Sequence, residues 1–362
     1  MLKLLIVDDS ALMRRHLSQL FEAEGGFELS FARNGSEAVA MNKSVQPDVV
    51  TLDINMPEMD GISALSLIMA ERPVPVIMLS SLTTKGALAT FEALNLGAVD
   101  FVAKPDGTIS RSLDSVAENL VSKVRSVARA KLRISGRATS APRKAAPSEP
   151  RVDKKVVTPP AVAVSADGVG RQDKVILIGV STGGPRTLEE ILPALPEDLP
   201  APIVIAQHMP ASFTSSLASR LNRACAMQVE EVNKATALAP GVIYIARGNA
   251  DVAITTRRNQ LYVQSKPEDA EYLWHPSVEI LGQSALKHCS PRHVLAVLLT
   301  GMGHDGSRAF TELKKRGATT IAESADTAIV FGMPSELIDL GGASKILPAG
   351  AIAADIIEFA AR

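Results

Sequence analysis

Cysteine is almost absent from this chain: Cys225 and Cys289 are the only two in 362 residues. Two cysteines exclude a disulfide framework and a four-cysteine zinc site, fit a reducing cytosol, and read as packed thiols. An excess of charge of one sign is missing as well. The 38 Lys and Arg against 39 Asp and Glu leave a formal net charge of −1, so nothing in the overall balance draws the chain to nucleic acid or to a membrane surface. Long apolar runs are lacking too. The opening run LKLLIV is cut by Asp8 and Asp9, too short for a signal-peptide core or a membrane span, so neither export nor membrane insertion is expected. No internal repeat is visible. What remains is an ordinary globular composition, 46% hydrophobic and 21% charged, in a chain longer than one hydrophobic core usually supports. Two domains are therefore expected.

The text of the chain divides accordingly. Residues 1–130 alternate strand-like runs (LKLLIV, FELSFA, DVVTL, PVIML, DFVA) with helical stretches. Five strand-helix pairs mean a parallel sheet covered on both faces. Residues 131–173 turn rich in Pro, Ala, Ser and basic residues without a sustained period, which reads as a flexible linker. From 174 to 362 strand-like runs return (VILIG, APIVIAQ, MQVEEV, VIYIA, HVLAVLLT, TTIA) with helical candidates between them. This second unit reads as three-layer α/β, mostly parallel, with VAITTRRNQLYVQ as an antiparallel hairpin at its side. It has no helix-turn-helix pattern and no basic recognition helix, so a DNA-binding output is not expected.

In an open parallel sheet, ligands collect outside the carboxyl ends of the strands. Asp8 and Asp9 follow the first strand, Asp53 ends the third and Lys104 follows the fifth. Three converging carboxylates make an oxygen-ligand site suited to Mg²⁺, which also offsets their repulsion. A phosphoryl group on Asp53 would then find Mg²⁺, Lys104 and the Ser80 hydroxyl for its oxygens. Taken singly, each aspartate could cap a helix or sit in a turn, and Lys104 could simply snorkel; the joint placement favours the site. Through IVDDS, LDINMPEMDG, MLSS and DFVAKP, the first domain resembles response-regulator receiver domains. The resemblance implies a flavodoxin-like (βα)5 fold, Asp53 as phosphoacceptor, Asp8 and Asp9 as Mg²⁺ ligands, and Ser80 and Phe101 as the hydroxyl and aromatic that rearrange on phosphorylation. By residue type alone, Phe101 fits an ordinary core position equally well.

In the second domain the apolar run VILIGV opens into STGGP. The turn lacks the Lys-Ser/Thr ending of a P-loop and the GxGxxG spacing of a dinucleotide fold. It does contain G-x-S-x-G over Gly179–Gly183, a strand-turn-helix arrangement able to expose a serine oxygen, although such turns are also common for steric reasons. A serine nucleophile needs a base, and the base needs an orienting acid. His208 follows the strand APIVIAQ and Asp305 follows HVLAVLLT, which puts both on the same sheet edge as Ser181. His208 would take the Ser181 proton, Asp305 would hold the imidazole, and the Met302 N–H would meet the oxyanion. His304, adjacent to Asp305, ranks below His208 as base.

Through GVSTGGP, QHMPASFTSSLASRL, LTGMGHDG and VFGMPSE, this domain resembles the catalytic domain of chemotaxis-type protein-glutamate methylesterases. With a receiver in front, the resemblance implies a phosphorylation-activated serine hydrolase of the cytoplasm. Its substrates would be glutamate γ-methyl esters on the cytoplasmic domains of methyl-accepting chemoreceptors, with glutamine deamidation as a further activity. A chemotaxis-type sensor histidine kinase would be its phosphodonor. The resemblance also implies the triad Ser181, His208 and Asp305, with Thr182 and Met302 lining the site and no cofactor for the esterase step. A response regulator whose second domain only binds an anion or a partner is the alternative.

The sequence departs from that family in YIARGNADV, with Arg247 and Asp251, and in LWHPSVE, with Trp274 and His275. Both segments are expected either to shape receptor docking or to reflect surface drift. The receiver is expected to occlude the catalytic mouth until Asp53 is phosphorylated.

Overall fold

A computed structural model describes residues 1–81, 83–104, 119–128 and 174–362. The expected linker at 131–173 lies outside these residues. In the first unit β1 (Leu2–Val7), α1 (Ala11–Glu24), β2 (Phe27–Ala32), α2 (Gly35–Ser44), β3 (Val49–Asp53), α3 (Gly61–Glu71), β4 (Val76–Ser80), α4 (Thr84–Leu96) and β5 (Asp100–Ala103) alternate. Residues 119–128 are helical and are called α5. The five strands pair in parallel in the order β2-β1-β3-β4-β5. β3 and β4 are buried along their whole length, which is why they read as continuous apolar runs rather than alternating ones. The helices start where the sequence offers an acceptor. Ser10 takes the Met13 N–H, Asp60 the Ser63 N–H and Thr83 the Gly86 N–H, each satisfying a donor that the first turn leaves open.

The second unit runs β6 (Val175–Val180), α6 (Gly184–Ile191), β7 (Ile203–Gln207), α7 (Ala211–Ala224), β8 (Gln228–Val232), β9 (Thr236–Ala237), β10 (Val242–Ala246), β11 (Asp251–Arg257) and β12 (Gln260–Lys266). It continues through α8 (Val278–His288), β13 (Val294–Leu298), α9 (Ser307–Lys315), β14 (Thr319–Glu323), α10 (Met333–Asp339), β15 (Lys345–Leu347) and α11 (Ala349–Ala361). Seven strands form one parallel sheet in the order β15-β14-β13-β6-β7-β10-β8. The hairpin β11–β12 pairs with β9 in a separate three-stranded antiparallel sheet. The expected hairpin is therefore a sheet of its own.

From β6 the chain winds outward through β7 to the edge strand β8, returns to insert β10 between them, and then crosses back to build β13, β14 and β15 on the other side. The direction reverses between β6 and β13, and such a reversal opens a crevice at the strand ends. Both cysteines are free, Cys225 buried and Cys289 half-buried, and burial pushes their thiols up to about 11 and about 12, which disfavours a thiolate near neutrality.

The two units pack on each other. α4 lies against α7, and Phe91, itself buried, takes the Arg220 guanidinium over its ring at 5.9 Å. Phe101 stacks on Phe213, their centroids 4.4 Å apart. Met302 and Ile329 of the second unit pack against the apolar core of the first.

Candidate active site and phosphoacceptor site

At the first sheet's carboxyl edge, Asp8, Asp9 and Asp53 bring ligand atoms within 4.8 Å of one another. Lys104 Nζ lies 2.7 Å from Asp8 Oδ2 and 2.8 Å from Asp53 Oδ2. Burial pushes the Asp53 carboxyl above its usual range, against the opposing pull of Lys104. The ammonium of Lys104 is itself held above its ordinary value, because its hydrogen bonds to both carboxylates outweigh its burial. Two buried carboxylates share one ammonium, and exposed Asp9 supplies a third oxygen ligand. That donor set fits a hard divalent cation. Ser80 is fully buried. Its hydroxyl donates to the Gly86 carbonyl at 3.2 Å and accepts from Thr90 at 2.8 Å, turned toward α4 rather than toward Asp53. Phe101 is 5% exposed and is held in the contact with Phe213 just described.

At the second sheet, the residues after β6, β7 and β13 meet because these three strands are neighbours. Ser181 follows β6. Its N–H is held by the Thr300 carbonyl at 3.0 Å, and its own carbonyl accepts from Gly184 N at 2.8 Å. Gly183 then turns the chain into α6 with φ 81°, and a Cβ there would come within 2.7 Å of Ile329. The position accepts only glycine. His208 follows β7, its N–H on the Val180 carbonyl at 3.0 Å. Gln207, 1% exposed, donates its carboxamide to the Ser181 carbonyl at 2.9 Å and to the His208 carbonyl at 3.2 Å. One side chain thus ties the two turns together.

His208 Nε2 lies 2.8 Å from Asp305 Oδ2. The carboxylate sits at the N-terminus of α8, accepting from Val278 N at 2.7 Å, Glu279 N at 2.9 Å and the Ser277 hydroxyl at 3.0 Å. Burial pushes Asp305 up, but the bond from His208 and the backbone donors outweigh it, so the carboxyl stays below its usual range. It remains an anion able to hold a charged imidazole. The other ring nitrogen, Nδ1, is buried and has no partner among the described residues. The Ser181 hydroxyl likewise makes no hydrogen bond among the described residues; catalytic hydrogen bonds often tighten only when substrate is bound.

Ser181, Thr182, His208 and Met302 line one cleft of about 260 Å³. Thr182 Oγ1 is buried without a partner among the described residues. In the turn after β13, the Gly301 N–H is spent on the Val330 carbonyl and the Gly301 carbonyl accepts from Met333 N, whereas the Met302 N–H meets no acceptor among the described residues. The receiver unit lines the same cleft through Phe101, Val102, Asn119 and Lys123. His304 is exposed and its ring meets Trp274, not Asp305.

Three features were not anticipated. Gln207 is the last residue of the apolar strand β7 and gives no local signal of its clamp. Ser277 could have been found as the N-cap of α8, since it precedes the helical run VEILGQSAL. Asp251 is 2% exposed, which corrects its expected place on a drifting or docking surface: its carboxylate accepts from Ser277 N at 2.9 Å and Asp269 N at 2.9 Å and lies 3.0 Å from His275 Nδ1. Arg247 is exposed.

Comparison with known proteins gives two family matches: CheB methylesterase over residues 176–356 and response regulator receiver domain over residues 4–111. A protein-glutamate methylesterase/protein-glutamine glutaminase of Rhodospirillum rubrum is 50% identical over 100% of this chain and 97% of its own length. One of Rhodopseudomonas palustris is 47% identical over 99% and 98%. The crystal structure of the Thermotoga maritima CheB methylesterase catalytic domain matches at a TM-score of 0.50 with 39% identity, covering 51% of this chain and 98% of that one.

Proposed function

This chain belongs to the CheB methylesterase family with an N-terminal receiver domain, and from that premise we propose that it is a receptor-modifying serine hydrolase switched by phosphorylation of Asp53. Its substrates are glutamate γ-methyl esters, and selected glutamines, on the cytoplasmic domains of chemoreceptors; the chemistry is adaptation in chemotaxis. The domains run 1–130 and 174–362, joined by 131–173.

The observation that carries the esterase is the His208–Asp305 pair at 2.8 Å beside Ser181 in one cleft. His208 takes the Ser181 proton as Oγ bonds to the ester carbonyl carbon. The oxyanion is met by the Met302 N–H, and the Asp305 carboxylate balances the imidazolium. Collapse breaks the C–O bond to methanol, which leaves with the proton from His208. Water then attacks the acyl-serine by the same route in reverse, giving glutamate and free Ser181. A glutamine substrate follows the same steps with ammonia leaving.

In the receiver, Asp8, Asp9 and Asp53 would hold Mg²⁺, which supplies charge neutralisation for a phosphoryl group on Asp53; Lys104 takes a second oxygen. The donor is a chemotaxis-type histidine kinase. The receiver wall formed by Phe101, Val102, Asn119 and Lys123 keeps a receptor helix from Ser181, and the added negative charge at Asp53 disfavours that closed arrangement. No helix of the described residues is long and apolar enough to cross a membrane.

The test is methanol release from methyl-labelled receptor membranes by wild type and Ser181→Ala. Release lost in the variant is the expected result. Equal release by both, or none by wild type from any receptor preparation, contradicts the reading and favours an output domain that only binds.

A further inference from the structure

We propose that Trp274 is a positioning residue for His208, an inference that rests on the serine-hydrolase reading above. The only tryptophan of the chain lies parallel to the His208 ring, with planes 2° apart and centroids 5.6 Å apart. A single hydrogen bond from Nε2 to Asp305 fixes one corner of the imidazole and leaves its plane able to turn about that bond, since Nδ1 has no partner among the described residues. A flat indole parallel to the ring opposes that turn and holds the imidazole plane, with its unpartnered Nδ1, in the cleft that Ser181 also lines. The same face presents π-electron density to the positive charge that the imidazole acquires on taking the serine proton.

The surrounding chain is built to hold the indole there. Gly303 has φ 83°, and a Cβ on it would lie 2.9 Å from the indole, so glycine is what lets the oxyanion turn pass under the ring. His304 meets the indole in a T-shaped contact, centroids 5.3 Å apart and planes at 83°. Behind Trp274, buried Asp251 anchors His275 at 3.0 Å and the Ser277 N–H at 2.9 Å, and the Ser277 hydroxyl bonds Asp305 at 3.0 Å. One short segment, 274–277, therefore sets both the face and the Nε2 edge of the base.

The charged and titratable groups around the stack are Asp305 on the imidazole, His304 on the indole, and His275, Glu268 and Lys123 along the same cleft.

Kinetics and emission of the full-length protein decide the matter. Trp274→Ala is expected to lower kcat about tenfold, with KM changed less than about threefold. Trp274→Phe, which keeps a flat aromatic face, recovers most of the rate, and Trp274→Leu, which keeps only apolar bulk, does not. An Ala variant within about twofold of wild type, or Leu matching Phe, overturns the positioning role. Because a ring stacked on the indole perturbs its emission, His208→Gln should change the Trp274 emission at fixed pH, and His304→Gln should change it less. An emission unchanged in His208→Gln overturns the stack itself, whatever the esterase assay gives. A His208-dependent emission in a protein that hydrolyses nothing faults the hydrolase reading and the positioning role with it, and leaves the stack standing.

Discussion

Phe101 of the receiver lies 4.4 Å from Phe213 of the catalytic unit, ring centroid to ring centroid, with the planes inclined by 29°. Phe101 is the aromatic expected to move on phosphorylation, and Phe213 sits in α7, the helix that starts three residues after His208. The contact therefore joins the receiver's phosphoacceptor edge to the wall of the catalytic cleft.

Removing it should open the closed form. Phe101→Ala gives up about 2 kcal/mol of buried apolar surface, so the esterase rate without any phosphodonor should rise by about tenfold or more where the closed form dominates. Methanol release by the variant checks this, alongside acetyl phosphate labelling of Asp53 to verify that the receiver remains folded. A basal rate no higher than wild type assigns Phe101 to the receiver core alone.

Asp305 carries a pH signature. Its carboxyl is held below the usual range in the folded protein, so its contribution to stability is present above the ordinary carboxylate pKa and is lost as pH falls through the lower folded value. Asp305→Asn should melt below wild type at neutral pH, and the difference should shrink below about pH 4. The same variant should lose about 10³- to 10⁴-fold in kcat, because an amide no longer favours the productive imidazole tautomer and its charged form.

Asp53 behaves in the opposite sense. Its carboxyl is raised by burial, so the folded state holds the proton more tightly than the unfolded state. Stability falls as pH rises from the unfolded value through the folded one. Asp53→Asn should therefore raise the melting temperature of the metal-free protein at neutral pH. Added Mg²⁺ should stabilise wild type and leave the variant nearly unchanged, which a thermal melt series in Mg²⁺ will read.

Gln207 offers a test of the frame beneath the triad. Gln207→Leu leaves the Ser181 and His208 carbonyls without their shared donor, a loss of about 1–3 kcal/mol. The expected outcome is a kcat reduced roughly tenfold with KM little altered. Steady-state kinetics on one receptor preparation distinguishes this from a docking defect, which would raise KM instead.

Much of this was legible in the sequence because the chemistry sits at strand ends. Asp8, Asp53, Ser181 and His208 each follow or end an apolar run, and in parallel sheets those ends share an edge. The elements not read are short or weakly periodic: β9 with two residues, β15 with three and α10 with seven. The Phe101–Phe213 stack leaves no local trace, since it joins segments more than a hundred residues apart through surfaces that each resemble ordinary core. Asp251 looked like surface because a carboxylate usually is; only the fold reveals that the Ser277 and Asp269 N–H groups converge on it.

The most direct measurement is the rate of methanol release from methylated receptor membranes by the full chain, with and without acetyl phosphate and Mg²⁺, for wild type and Asp53→Asn. The account predicts a rate that rises with the phosphodonor in wild type only. Equal rates in all four conditions would contradict a receiver that closes the cleft until Asp53 is phosphorylated.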